Sequence, residues 1–163
     1  MKPLVYYPDD RLVVPAEPVE RIDTATGELA RQMIATMQDN RGIGLAGPQV
    51  GVMERLFVVR VPEDEPRVFI NPLITAVSPD TGRYEEGCLS IPGVYADVTR
   101  PREITVEAWD EKGNHFSLAA EGLLARVILH EYDHLEGRLF IDHLSVRKRE
   151  RLLRAYHKPD GEE

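Results

Sequence analysis

Two imidazoles four residues apart, with a carboxylate directly after the first, stand in His130-Glu131-Tyr132-Asp133-His134, and no other stretch of the chain is better suited to chemistry. On an α-helix four residues turn through about 400° and rise about 6 Å, so both rings leave one face, one turn apart, and can share a cation. Glu131 points to the edge of that face. There it can take a proton from metal-bound water rather than bind the metal itself. The chemistry expected from these residues is metal-assisted hydrolysis.

The segment ahead of the motif, Glu121 to Leu129, predicts the helix that such a site needs. Leu123, Val127, His130 and His134 fall at i, i+4, i+7 and i+11, a single stripe that carries the ligands onto the buried face. Gly137 offers the C-terminal stop. A catalytic site that keeps one position open for water uses three protein ligands, so a third must come from elsewhere. The extended pattern H-E-x-x-H-x-x-G-x-x-H reaches Gly137 but requires His where Phe140 stands. Glu150 lies in a strongly basic segment. The better candidate is Cys88, the single cysteine, in Tyr84-Glu85-Glu86-Gly87-Cys88-Leu89-Ser90-Ile91-Pro92. A thiolate with two imidazoles makes a tetrahedral set with one place free. A lone cysteine is more often a small buried hydrophobe. Against that, Gly87 lets the backbone approach another group closely, and two carboxylates lead into the thiol.

With one cysteine there is no intramolecular disulfide. The opening residues Met1 to Pro8 break at proline, and Asp9 and Asp10 follow without an apolar signal segment. A reducing compartment is expected.

A third segment, Arg41-Gly42-Ile43-Gly44-Leu45-Ala46-Gly47-Pro48-Gln49-Val50-Gly51, is rich in glycine but has no Lys-Ser or Lys-Thr after it, and Pro48 removes a backbone donor. Nucleotide binding is thereby disfavoured. Such a loop before a strand is often only a tight connection. It can also present backbone N–H and C=O groups to an extended peptide, and the Gln49 amide can donate to a developing oxyanion.

Together the three segments resemble the peptide deformylase family, and the resemblance runs from about Pro8 to about Lys158. Members carry a glycine loop ending in Gln, then Glu-Gly-Cys-Leu-Ser, then His-Glu-x-Asp-His-Leu, in this order and at similar separations. The resemblance implies a hydrolase that removes the N-formyl group from the N-terminal formylmethionine of newly made polypeptides and releases formate. It implies Cys88, His130 and His134 as ligands, Glu131 as general acid and base, and the Gln49 amide with the Leu89 backbone N–H as oxyanion donors. Ile43, Leu123 and the His130 ring match positions that line the methionine pocket, and Gly44 matches a backbone contact. Gly87 is counted with these substrate-binding positions. The resemblance further implies Fe²⁺ as native ion, with Zn²⁺, Ni²⁺ or Co²⁺ as substitutes, although donor softness alone names Zn²⁺ first. A bacterial cytoplasmic protein is implied too.

Some positions depart from the family pattern. Gly47 stands where Ala is usual, Leu129 where Gln is frequent, Tyr95 where a basic residue is common, and Arg126 where an apolar pocket residue is common. Arg126 would make one pocket wall more polar. Glu86 and Arg100 fall where a buried ion pair would brace the Cys88 loop. The alternative functions are a zinc-dependent peptidase of the HExxH type and a metal-binding relative that has lost catalysis and acts as an interaction module.

At 163 residues, 42% apolar and 29% charged, the chain suits one domain over residues 1–163, and no run approaches the roughly 18 apolar residues of a membrane span. Glu28 to Asp39 carries Leu29, Met33 and Met37 at helical spacing, core methionines rather than a cofactor box. Strands are predicted at Leu56–Val61, Val68–Ile70, Leu73–Val77, Ile104–Trp109 and His115–Leu118, with an acidic turn at Pro62–Pro66 and another at Asp110–Asn114. These are hairpins, not alternating βαβ units. The expected fold is α+β, antiparallel strands around a central metal-bearing helix, as in the family. The net charge of −8 argues against general nucleic-acid binding. A basic C-terminal helix over about 145–158 is the local exception, with Ser145 as N-cap and Arg147, Lys148, Arg149, Arg151, Arg154 and Lys158 following. The resemblance implies that it docks at the ribosomal exit, where formylmethionyl nascent peptides emerge.

Overall fold

Apolar residues at every position of β2 (Leu56–Val59) require cover on both faces of the sheet. The computed structural model, which describes residues 1–159, supplies it with two helices. Residues 160–163 of the expected domain lie outside the described residues. Leu56 and Val58 pack with Met33 and Met37 of α1 (Thr24–Asp39), both fully buried, while Phe57 and Val59 pack with Ala125, Val127 and Ile128 of α2 (Gly122–Leu135). Strand alternation thus sends neighbouring side chains to opposite helices. The stacked rings of Phe57 and Phe69, centroids 4.9 Å apart, fill the α2 side.

Five antiparallel strands form this sheet in the order β1-β2-β3-β6-β7, where β1 is Gly44–Ala46, β3 Arg67–Val77, β6 Glu103–Trp109 and β7 His115–Glu121. The other two strands, β4 (Thr81–Cys88) and β5 (Ile91–Pro101), pair among the described residues only with each other. The α+β class with antiparallel strands is as expected, and α2 lies between the large sheet and the hairpin.

Three local differences have physical causes. The predicted strands Val68–Ile70 and Leu73–Val77 are one strand, β3, because the chain passes Asn71, at a positive φ of 51°, as a local irregularity and resumes pairing with β6 at Leu73 in a shifted register. The Asn71 side chain then acts like a strand backbone, accepting from Val19 N at 2.8 Å and donating to Val19 O at 2.9 Å. Helix α1 begins at Thr24, ahead of Glu28, because Asp23 and Thr26 form a reciprocal capping box. The last helix, α3, is Val146–Arg154, with Ser145 Oγ accepting from Lys148 N. It ends short of residue 158 because the chain turns so that Tyr156 meets Tyr7 edge-on and donates to the Tyr7 carbonyl at 2.8 Å.

Candidate metal centre and active site

Helix α2 starts directly at the end of β7, with Gly122 at φ 62°, and stops at Gly137, φ 77°, where a Cβ would lie 2.9 Å from the Val14 backbone. Between these ends Val127, His130, Glu131 and His134 are buried. Leu123, on the same stripe, is 37% exposed, because it faces a cavity instead of the core.

Cys88 arrives from the hairpin. It ends β4, pairs with Ile91 across the two-residue turn Leu89-Ser90, and places its Sγ 3.4 Å from His134 Nε2. The ligand atoms of Cys88, His130 and His134 all lie within 4.8 Å of one another, so one ion can reach all three. Phe140, which stands where the extended pattern would need a third histidine, stacks on the His130 ring with centroids 6.1 Å apart.

Glu86 occupies the centre of the supporting charges. Its Oε1 lies 2.9 Å from His130 Nδ1, which leaves Nε2 as the nitrogen free to ligate. Arg100 grips the same carboxylate through two bonds of 2.7 and 3.0 Å and donates to Asp133 at 3.0 Å. The brace anticipated between Glu86 and Arg100 is therefore present and buried. Arg126 lines the cavity but turns its guanidinium to Glu86 at 2.6 Å.

These contacts set the protonation of the site. Burial raises the Glu86 carboxyl, but the bonds from His130 and Arg100 outweigh it and hold the group well below the usual carboxylate range. Burial lowers His130, and the neighbouring Cys88 and Glu86 reverse that, so the surroundings of this ring favour positive charge. His134 is pushed down to about 3 by burial and by His130, which keeps it neutral with a lone pair to give. Burial pushes Glu131 up to about 7, a value suited to moving protons near neutrality. Its Oε1 is buried without a hydrogen-bond partner among the described residues. A thiol and two imidazoles whose ligand atoms converge, one ring oriented by the Glu86 carboxylate, fit a divalent metal.

A cavity of about 580 Å³ opens beside the triad. Ile43, Gly44, Gln49, Gly87, Cys88, Leu89, Leu123, His130 and Glu131 line it, so the structure gathers every expected site residue there except His134, which is buried behind. Gln49 is buried in the single turn Gly47–Val50. Its Oε1 accepts from Ala46 N at 2.9 Å, which turns Nε2 toward Cys88 Sγ at 3.4 Å and Ser90 Oγ at 3.2 Å.

The family model described as Polypeptide deformylase matches residues 1–150. The chain belongs to the peptide deformylase family. Peptide deformylase of Pseudomonas aeruginosa is 47% identical over 157 residues, covering 95% of this chain and 94% of that one. That of Neisseria meningitidis is 50% identical over 151 residues, with 91% and 90% covered. Among solved structures, peptide deformylase from Ehrlichia chaffeensis in complex with actinonin superposes with a TM-score of 0.92 at 39% identity, covering 94% of each chain. Peptide deformylase from Thermus thermophilus gives 0.89 at 42% identity, covering 95% of this chain and 92% of that one. The chain is accordingly a metal-dependent hydrolase that removes the N-formyl group from formylmethionyl peptides, and the general HExxH peptidase is not favoured. No helix among the described residues is long and apolar enough to cross a membrane.

Two supports of this deformylase site escape sequence reasoning. In the sequence Asp133 is only a part of the motif, yet in the fold it joins Arg100 to His143, whose Nε2 lies 2.8 Å away. Arg126 is expected on a pocket wall, whereas three of its contacts go to the hairpin. Arg126 is one helical turn before His130, a spacing that points to the same face.

Proposed function

We propose that this cavity hydrolyses the formamide of N-formylmethionyl peptides with Glu131 as proton carrier and with Cys88, His130 and His134 holding one Fe²⁺. The observation that carries the reading is the unpartnered, buried Glu131 carboxyl in the cavity beside a convergent thiol and two imidazoles. When bound, the ion supplies Lewis acidity and makes water a nucleophile near neutral pH. Glu131 takes the proton of the attacking water and returns it to the leaving amine, a double role that a carboxyl near pH 7 performs well. Charge gathering on the formyl oxygen is met by Gln49 Nε2, whose orientation the Ala46 N–H fixes, and by the Leu89 backbone N–H in the hairpin turn.

Ile43, Leu123 and the His130 ring supply apolar walls for the methionine side chain, while Gly44 and Gly87 offer main-chain groups to the peptide, their missing Cβ atoms leaving room for Glu131 and for the Tyr95 ring respectively. Iron as native ion follows the family resemblance, with Zn²⁺, Ni²⁺ or Co²⁺ able to substitute. A single reduced thiol among the ligands suits a bacterial cytoplasm, and the described fold suits one domain. Actinonin, the ligand of the Ehrlichia structure, is expected to compete for this cavity.

The test is an anaerobic assay of formylated against unformylated methionyl peptides, run beside Glu131→Ala. Formate release from the formylated peptide alone is expected, with Glu131→Ala slower by about 10²–10⁴-fold at unchanged metal content. Cleavage of peptide bonds in the unformylated peptide would overturn the reading.

A further inference from the structure

The metal triad is divided between two elements that share no main-chain ladder. Cys88 is on the β4–β5 hairpin, His130 and His134 are on α2, and among the described residues the hairpin strands form a main-chain ladder with each other alone. An ion held from both sides needs their separation fixed to a few tenths of an ångström. Beyond the Gly122 N–H to Arg102 carbonyl bond at the start of the helix, the hydrogen bonds that join the two elements come from side chains.

Arg126 reaches the hairpin at three points. Its Nη1 donates to Glu86 at 2.6 Å and to the Val98 carbonyl at 2.9 Å, and its Nη2 donates to the Gly82 carbonyl at 2.8 Å. Gly82 and Glu86 belong to β4 and Val98 to β5, so one guanidinium spans both strands from a position one turn before His130. The planar fork is suited to this, since its donors keep fixed directions. Tyr84 covers the guanidinium, 5.6 Å from ring centroid to Cζ, and the side chain is 12% exposed.

We propose that Arg126 is a positioning residue of the metal centre, holding the β4–β5 hairpin against α2 and thereby setting the distance of Cys88 Sγ from the two imidazoles. The role differs from that of Arg100, which belongs to β5 and reaches α2 only at Asp133, near the far end of the helix. It also differs from a substrate contact. Three of its five N–H donors, including both on Nη1, already have acceptors on the hairpin, so the contacts that this guanidinium makes are structural ones.

The inference rests on the reading that Cys88, His130 and His134 hold the ion, and Co²⁺ titration of the full chain separates the two. Co²⁺ is the probe because its visible bands report coordination geometry and its near-ultraviolet band reports the thiolate bond. The unaltered protein is expected to bind one Co²⁺ with both signatures; their absence would refute the ligand assignment itself. Arg126→Met keeps the aliphatic stem and loses the fork. It is expected to bind Co²⁺ about 10- to 100-fold more weakly with a weakened thiolate band, at unchanged far-ultraviolet circular dichroism. A Co²⁺ affinity and spectrum equal to those of the unaltered protein would overturn the inference, whether or not thermal stability or KM had changed. Should Arg126→Met not fold, Arg126→Lys decides alone. Lysine retains the charge but cannot bridge Gly82, Glu86 and Val98 together, so the same loss is expected and its absence overturns the idea.

Discussion

Glu86 Oε1 and His130 Nδ1 lie 2.9 Å apart, and this contact joins a strand that ends in the thiol to a helix that carries both imidazoles. It fixes which ring nitrogen faces the ion. It also places a carboxylate that is 7% exposed among Arg100, Arg126 and His130, an arrangement stable only while the carboxylate stays charged.

Acid should therefore unfold the molecule in part through Glu86. Its folded-state pKa is depressed below the ordinary 4.5, so the stability it contributes is complete above that value and is lost as pH falls through the folded value. Glu86→Gln removes this contribution and leaves two arginines short of a partner, at a cost of about 3 kcal/mol at pH 7. Urea unfolding of chelator-treated protein measures it. The gap between the two proteins should narrow from pH 5 downward; a gap constant from about pH 7 to pH 3 would show that the Glu86 charge is not what the network uses.

Much of α2 was legible because its information is local. Val127, His130, His134 and Gly137 lie within three turns, and helical periodicity alone places them. The hairpin was not legible as strands. In β4 the one buried residue is the charged Glu86, whose reason for being inside is supplied by Arg100, 14 residues on, and Arg126, 40 residues on. Alternation does exist in β5, where Val94, Ala96, Val98 and Arg100 are buried in turn, but it ends on an arginine and reads as amphipathic only once that arginine has a partner. Cys88 is legible as the only thiol and from the Glu85-Glu86-Gly87 lead-in, not from any strand periodicity of β4.

Helix α3 carries Arg147, Lys148, Arg149, Arg151 and Arg154 within nine residues and buries none of them. Arg149 pairs with Asp142 at 3.3 Å, while Arg151 and Arg154 are exposed. If the helix docks on ribosomal RNA, affinity should follow those two charges and fall steeply with salt. The variant carrying Arg151→Glu and Arg154→Glu is expected to bind ribosomes at least tenfold more weakly in a cosedimentation assay, with deformylation of a free formylated peptide unchanged. Equal cosedimentation of variant and unaltered protein would remove the docking idea.

Gly44 gives the most local test of the active site. It begins β1, is buried, and approaches α2 so closely that a Cβ would overlap the Glu131 carboxylate and stand 2.8 Å from Val127 Cγ1. Neither neighbour can yield cheaply, because Glu131 and Val127 sit on the buried face of the ligand-bearing helix. Gly44→Ala must then turn the Glu131 carboxylate away or push α2 from the sheet. We expect kcat/KM to fall about 100-fold, the scale of a misplaced catalytic group, with a loss of about 1–3 kcal/mol in stability from overpacking. Metal content should persist, since Glu131 is not among the three converging donors. Steady-state kinetics and metal analysis on the same sample check both halves, and an Ala variant as active as the unaltered protein would mean that the Glu131 carboxylate works from another position than the one beside Gly44.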